Sequence, residues 1–183
     1  MFWPLLYLIR VATLHNIAIY GFGQVGKSLY NKLARNGGSK LKYIVTKNPR
    51  EIDRTIFTTD LYRPIFDEEV HTIFECISDP ESAYLVIIEA IKHNKNIISC
   101  SKEVWAKRSK DIIDHTHSYS GKILLNSLAC DQTGHSAYPD KIGIENILEI
   151  DPKDLYRFRG CGSNEAAIGM LNDFIELRRI LGF

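Results

Sequence analysis

Three glycines, Gly21, Gly23 and Gly26, stand in the stretch IAIYGFGQVGKSL at the spacing G-x-G-x-x-G. An apolar, β-branched run precedes them and a helical pattern follows. In that setting the first glycine permits a tight turn, the second lets backbone approach a pyrophosphate, and the third lets the helix pack closely on the strand. With Phe22, Gln24 and Val25 between them, they would aim helix N-terminal amides and the favourable end of the helix dipole at phosphates. The plainer alternative is a set of glycines that only shapes a turn. A second chemical candidate is Lys102, in NIISCSKEVWAK, at the carboxyl end of a central strand. An ammonium desolvated there can stabilise an oxyanion or shuttle a proton, where an ordinary lysine would simply be solvated. A third is the turn Gly160, Cys161, Gly162, which opens the last helix late in the chain.

The end of the second strand is where an Asp or Glu would bind a ribose 2′-hydroxyl. Thr46, Lys47, Asn48, Pro49 and Arg50 stand there instead, with no acid until Glu51. Basic groups at that place pair with a 2′-phosphate, which favours NADP over NAD; otherwise Lys47 and Arg50 are solvated loop charges.

These residues need strands and helices to hold them. HNIAIY (15–20), LKYIVT (41–46), HTIFECI (71–77), NIISC (96–100) and KILLNSL (122–128) read as buried strands. Helical patterns over 24–35, 81–94 and 101–119 separate them, the second announced by the capping signal Ser78-Asp79-Pro80. Residues 50–70 are mixed and give no clear element. Beyond 129, ACDQTGHSAYPD reads as loop, 141–150 as a short helix or strand, DLYRFRG as a strand, and 165–181 as a final amphipathic helix. Strand-helix alternation implies an α/β fold: a doubly wound, Rossmann-type parallel sheet in a single domain, closed by a C-terminal strand-loop-helix. Ligands of such sheets lie across the carboxyl ends of the strands. The expected cofactor-binding set therefore adds Cys76, Ile77 and Ser78 after one strand and Ser99, Ser101 and Lys102 after the next.

The 183 residues suffice for one domain with a sizeable core. Lys and Arg number 23 against 22 Asp and Glu, so no bulk charge draws the chain to nucleic acid or an anionic membrane. Cys76, Cys100, Cys130 and Cys161 are widely separated, which argues against a metal site and fits a reducing, cytoplasmic setting. The apolar opening MFWPLLYLIR is too short to span a bilayer, which takes roughly 20 residues. Residues 1–14 read as an extension that packs on the body or a start codon set too early, or as a membrane-surface or partner-docking tag.

The series IAIYGFGQVGKSL, HTIFECISDPESA, AIKHNKNIISCSKEVWA and GKILLNSLACDQTG resembles the nucleotide-binding domain of homoserine dehydrogenases. That family shows a G-x-G-x-V-G loop, a strand ending V-V-E, matched here by Phe74-Glu75, and a turn T-A-N-K-A, matched by Ser99 to Glu103. Lys102 corresponds to the turn lysine, which the resemblance implicates in proton transfer beside the nicotinamide. RFRGCGSNEAAIGMLNDF resembles the loop through which those enzymes return to the nucleotide domain, with Gly160, Cys161 and Gly162 for its Gly-Ala-Gly, Ala167 for its alanine and Asp173 for an acid that often follows. The resemblance covers about 15–130 and 155–178.

Between those blocks the family carries a substrate and dimerisation domain, whose place here is taken by only the stretch 131–154. Other positions differ: Ser101 replaces an asparagine, Asn126 a glutamate, and Glu165-Ala166 a Pro-Thr pair. The resemblance implies an NAD(P)-dependent oxidoreductase acting on a small amino-acid-type substrate such as aspartate semialdehyde or homoserine. Substrate contacts would come from Asp131, Gln132, Thr133 and His135, the last equally a surface loop residue, or from a second subunit in a homo-oligomer. The alternatives are a non-catalytic NAD(P)-binding module and an interaction protein derived from that fold.

Overall fold

HNIAIY forms β1, His15–Tyr20, and Ile17, Ala18, Ile19 and Tyr20 are all but fully buried along it. A strand covered on both faces has no polar alternation to show, which is why it is continuously apolar. In a computed structural model of the chain, described over residues 15–34, 39–48, 55–125 and 162–182, β1 is one of the two central strands of a six-stranded parallel sheet. The others are β2 (Ser39–Val45), β3 (Phe57–Thr58), β4 (Val70–Glu75), β5 (Asn96–Ser99) and β6 (Ile123–Leu124), in the order β3-β2-β1-β4-β5-β6. This is the doubly wound, Rossmann-type arrangement that the alternation of elements predicts.

Alternate strand residues face two helical layers. Ile17, Ile19, Ile44, Phe74, Ile98 and Leu124 point to the side covered by α1 (Gln24–Leu33) and the final helix α5 (Gly162–Leu181). Ala18, Tyr20, Tyr43, Val45, Ile73, Ile97 and Ile123 point to the other, covered by α2 (Arg63–Phe66), α3 (Pro80–Lys92) and α4 (Lys102–Asp114). Val86, Ile87 and Ile91 of α3 are buried there, each contributing about 1.5–3 kcal/mol by leaving water.

Some elements differ from the sequence expectation. Residues 50–70, whose sequence shows no clear element, supply β3 and the one-turn helix α2, both too short to carry a periodicity. Of KILLNSL, 126–128 lie outside the described residues and β6 is Ile123–Leu124 among the rest, and α4 stops at Asp114 rather than 119, where His115 and Thr116 turn back on Ile112 and Ile113. The segments 1–14 and 131–154 and the strand DLYRFRG lie outside the described residues. Among the described residues no helix is long and apolar enough to cross a membrane, and no cluster of three His, Cys, Asp or Glu is arranged to hold a metal.

Candidate functional site

Strand order reverses between β1 and β4, and the loops after these strands diverge there to leave a crevice at the carboxyl edge. Gly21 enters its turn at φ +94°, and a Cβ on it would stand 2.6 Å from the Cys76 carbonyl oxygen. A Cβ on Gly26 would fall 2.0 Å from the Gly21 oxygen, so α1 sits on the loop at a distance only glycine allows. Gly23 is the opposite case: among the described residues nothing would meet a Cβ there within 4 Å. It is the N-cap of α1, no side chain caps that end, and no acid stands in the first turn. Among the described residues, nothing thus fills the space before the amides of this helix start beside the β1–β4 crevice.

The loop's other side chains play separate parts. Phe22 meets Phe57 and Tyr30 edge-on at 5.0 and 5.8 Å and anchors the loop to the α1 side of the core. Val25 packs on the same cluster, and Gln24 is exposed at the helix start. At the end of β2 the Thr46 amide donates to the Thr58 carbonyl, holding β3 alongside, and Lys47 is exposed. Across the strand ends, Asp79 caps α3 by accepting from the Ser82 amide at 2.9 Å and from the Ser82 hydroxyl. These bonds hold its carboxyl below the usual range, and the positive charge of Lys47 adds to the effect. Lys47 and Asp79 therefore share one electrostatic neighbourhood at the mouth of the crevice. Arg50 lies outside the described residues.

Glu75, the last residue of β4, organises the other half. It is fully buried, with Ser99 Oγ donating to its Oε2 at 2.6 Å and the Ile77 amide donating to Oε1 at 2.7 Å. Ser101 Oγ donates toward both Glu75 Oε1 and the Ile77 carbonyl, at 2.7 Å each. One hydroxyl hydrogen cannot serve two acceptors at once, and the second contact closes when the carboxyl itself is protonated. Burial pushes the Glu75 carboxyl up, against the pull of these donors, in the same direction. Trp105 Nε1 donates to Ser99 Oγ at 2.8 Å and completes the network. Sequence reasoning uses Glu75 only as a mark of resemblance and misses its role. The signal is there: an acid ending an otherwise apolar strand must find donors or lose its charge.

Ser99 is expected from the sequence to touch a cofactor; its side chain is 0% exposed and committed to Glu75 and Trp105, which leaves its backbone for that contact. Ser101 is the N-cap of α4, yet its hydroxyl makes no cap bond and reaches back to the β4 end instead. Lys102 follows as the first residue of α4, half-buried at the same edge. Burial pushes its ammonium below the ordinary lysine value, attraction to Cys100 partly opposing this. Cys76 and Ile77 are half-buried after β4, and Ser78 is exposed.

Of the late glycine turn, Gly162 alone is among the described residues. Gly160 and Cys161, like Asp131, Gln132, Thr133 and His135, lie outside the described residues. Gly162 opens α5 at φ +83°, with the Glu165 carboxylate 2.6 Å from where a Cβ on it would stand. The first turn of α5 thus carries an acid of its own, whereas that of α1 carries none. What α5 does supply is packing: Ala167, Met170, Phe174 and Leu177 are buried beside α1.

A sheet of this order, with a glycine loop after β1 and a serine-lysine turn after β5, has its counterparts among known proteins. The resemblance is to homoserine dehydrogenases. The homoserine dehydrogenase of Synechocystis sp. is 27% identical over 123 residues, 61% of this chain and 28% of its own length. The crystal structure of the Thiobacillus denitrificans homoserine dehydrogenase matches with a TM-score of 0.59 at 17% identity, over 65% of this chain and 31% of that one. The S. aureus homoserine dehydrogenase matches with a TM-score of 0.58 at 19% identity, over 63% and 34%. No family model matches the chain. The chain thus has the Rossmann-like fold of an oxidoreductase and resembles homoserine dehydrogenases over about 60% of its length, while spanning about a third or less of theirs.

Proposed function

We propose that the chain binds a nicotinamide dinucleotide across the carboxyl ends of β2, β1, β4 and β5 and serves hydride transfer at the carbonyl of a small amino-acid-type substrate such as aspartate semialdehyde or homoserine. The observation that carries this reading is the space over Gly23, open among the described residues, at the uncapped, acid-free start of α1. A pyrophosphate fits there because a side chain does not stand in its way, and the helix amides supply its hydrogen bonds. The same space supports a resident dinucleotide held by Gly21, Gly23, Gly26 and the backbone of Phe22, Gln24 and Val25. Thr46, Lys47 and Arg50 would border the adenosine ribose, where basic groups favour NADP over NAD. Cys76, Ile77 and Ser78 would border the middle, Ser101 and Lys102 the nicotinamide end, and Gly160 to Gly162 the far side. When bound, the nicotinamide supplies the hydride chemistry.

Lys102 would act on the carbonyl oxygen. A half-desolvated ammonium at a helix start gives up its proton more readily than one in water, and both the burial and the helix dipole act in that direction. In this reading residues 15–183 form one dinucleotide-binding domain with 1–14 as an extension and 131–154 as an insert. Substrate contacts come from the 129–140 loop or a second subunit, and the setting is cytoplasmic. The second reading is a module that binds without turnover. The commitment of the Ser99 and Ser101 hydroxyls to Glu75 favours it, because neither hydroxyl is then offered to a substrate at that end.

Titration of the chain with NADPH and with NADH, followed by nicotinamide fluorescence, tests the cradle. Binding is expected, tighter for NADPH, and abolished by Gly23→Asp, which sets a carboxylate where the phosphates would lie. Absence of binding at millimolar cofactor sinks both readings, and survival of binding in Gly23→Asp removes the loop from the site. Lys102→Met separates the readings: turnover of aspartate semialdehyde should fall at least about a hundredfold with cofactor affinity kept.

A further inference from the structure

We propose that Cys76 and Cys100 form a reversible dithiol-disulfide site at the carboxyl edge of the sheet, directly beneath the glycine loop. The last registered pair of β4 and β5 is Glu75 opposite Ser99, and the Cys100 amide extends the ladder by donating to the Glu75 carbonyl at 3.1 Å. The next residue on each strand is a cysteine. Both are reduced and half-buried, and both pack against the cluster under α5, so the two side chains leave the sheet on the same face. Neighbouring strands run about 4.8 Å apart, inside the range of Cα separations a disulfide accepts. The Cys76 thiol donates to Met170 Sδ at 3.6 Å. It is also pushed well above the ordinary thiol value, first by its hydrogen bond with Cys100 and then by burial.

The oxidant is a low-molecular-weight disulfide such as glutathione disulfide. The thiolate of one of the two cysteines bonds to one glutathione sulfur, the glutathione S–S bond breaks, and one glutathione thiolate leaves. The thiolate of the other then attacks the protein sulfur of the mixed disulfide and displaces the second glutathione. The protein loses two electrons, and the two thiol protons end on the two glutathione molecules. Reduction by a thiol runs the same exchanges backward.

Closure has a consequence at the cradle. A disulfide needs its Cβ atoms about 3.5–4.5 Å apart, closer than the strand spacing, so the strand ends must lean together. The Cys76 carbonyl moves with them, and this is the oxygen against which Gly21 is seated. Oxidation would thus displace the turn that begins the glycine loop and weaken dinucleotide binding. This consequence rests on the cofactor reading above; the disulfide itself does not.

The test uses the whole chain, incubated with graded mixtures of reduced and oxidised glutathione and then alkylated. Each of the four cysteines falls on a different tryptic peptide, so mass spectrometry reads the pairing directly. The expected product is a peptide of residues 55–92 joined to residues 96–102, lighter by two hydrogens and released by dithiothreitol. In parallel, NADPH affinity should fall about tenfold on oxidation, within the ordinary range of coupling between sites, and recover on reduction. Cys100→Ser should remove the cross-link and make affinity indifferent to the oxidant. Cys76 and Cys100 that stay alkylatable, or that stop at separate glutathione adducts, overturn the proposal, and a cross-link that leaves NADPH affinity unchanged overturns its effect on the loop. If the reduced chain does not bind NADPH, the cofactor reading fails while the peptide map still decides the disulfide.

Discussion

Glu75 sits at the end of β4 with its carboxyl oxygens among hydroxyl and amide donors, and burial raises it out of the ordinary carboxylate range. A group whose folded value is raised costs stability as pH climbs, since above the ordinary range the unfolded chain sheds a proton that the folded chain keeps. Glu75→Gln removes that cost while keeping the shape and most of the hydrogen bonds. Thermal unfolding at neutral pH should therefore find it as stable as the parent or more so. Glu75→Ala leaves the Ser99 and Ser101 hydroxyls without their acceptor and should lose about 2–4 kcal/mol. A large loss in Glu75→Gln would mean that the network needs the charge.

At the scale of elements, the junction of β1 and α1 separates two kinds of glycine. Gly26→Ala sets a Cβ 2.0 Å from the Gly21 oxygen, so α1 must move off the loop. A cost of about 1–3 kcal/mol in chemical denaturation is expected. Gly23→Ala meets none of the described residues, and its stability should stay within about 0.5 kcal/mol of the parent, as for a free surface site. If the two changes cost the same, helix packing is not what Gly26 provides. The β1-loop-α1 unit was legible in the sequence because a buried strand, a glycine spacing and a helical period meet in one short stretch. α3 was legible too, through the Ser78-Asp79-Pro80 signal, and the Asp79 carboxylate does cap it. β3 and α2 were not, because two and four residues held by neighbours carry no pattern of their own.

Among the described residues, one response to acid sits at the opposite edge of the sheet. His15, at the start of β1, shares a hydrogen bond of 2.7 Å with Thr72 and stacks against His71 at 4.9 Å. Burial lowers its pKa to about 4, and the charges of His71 and Arg178 act in the same direction. The unfolded chain takes up a proton near pH 6.5 that the folded chain refuses until about 4, so stability is complete above 6.5 and falls as pH drops toward 4. Denaturant midpoints measured between pH 7 and 4 should show that decline, and His15→Gln should flatten it. An unchanged slope in the variant would assign the acid response to other groups.

The amino-acid sequence by itself determined the parallel α/β class and the location of the glycine loop, since both depend on local period and spacing that neighbouring residues carry in full. Only the tertiary structure decided that Gly23, alone of the three loop glycines, meets none of the described residues, and that Ser99 is sealed inside. It also decided that Glu75 ties two strand ends to the start of α4, and that two cysteines far apart in the chain become neighbours. These are contacts between strands adjacent in the sheet but distant in sequence, and strand order exists only once the chain has folded.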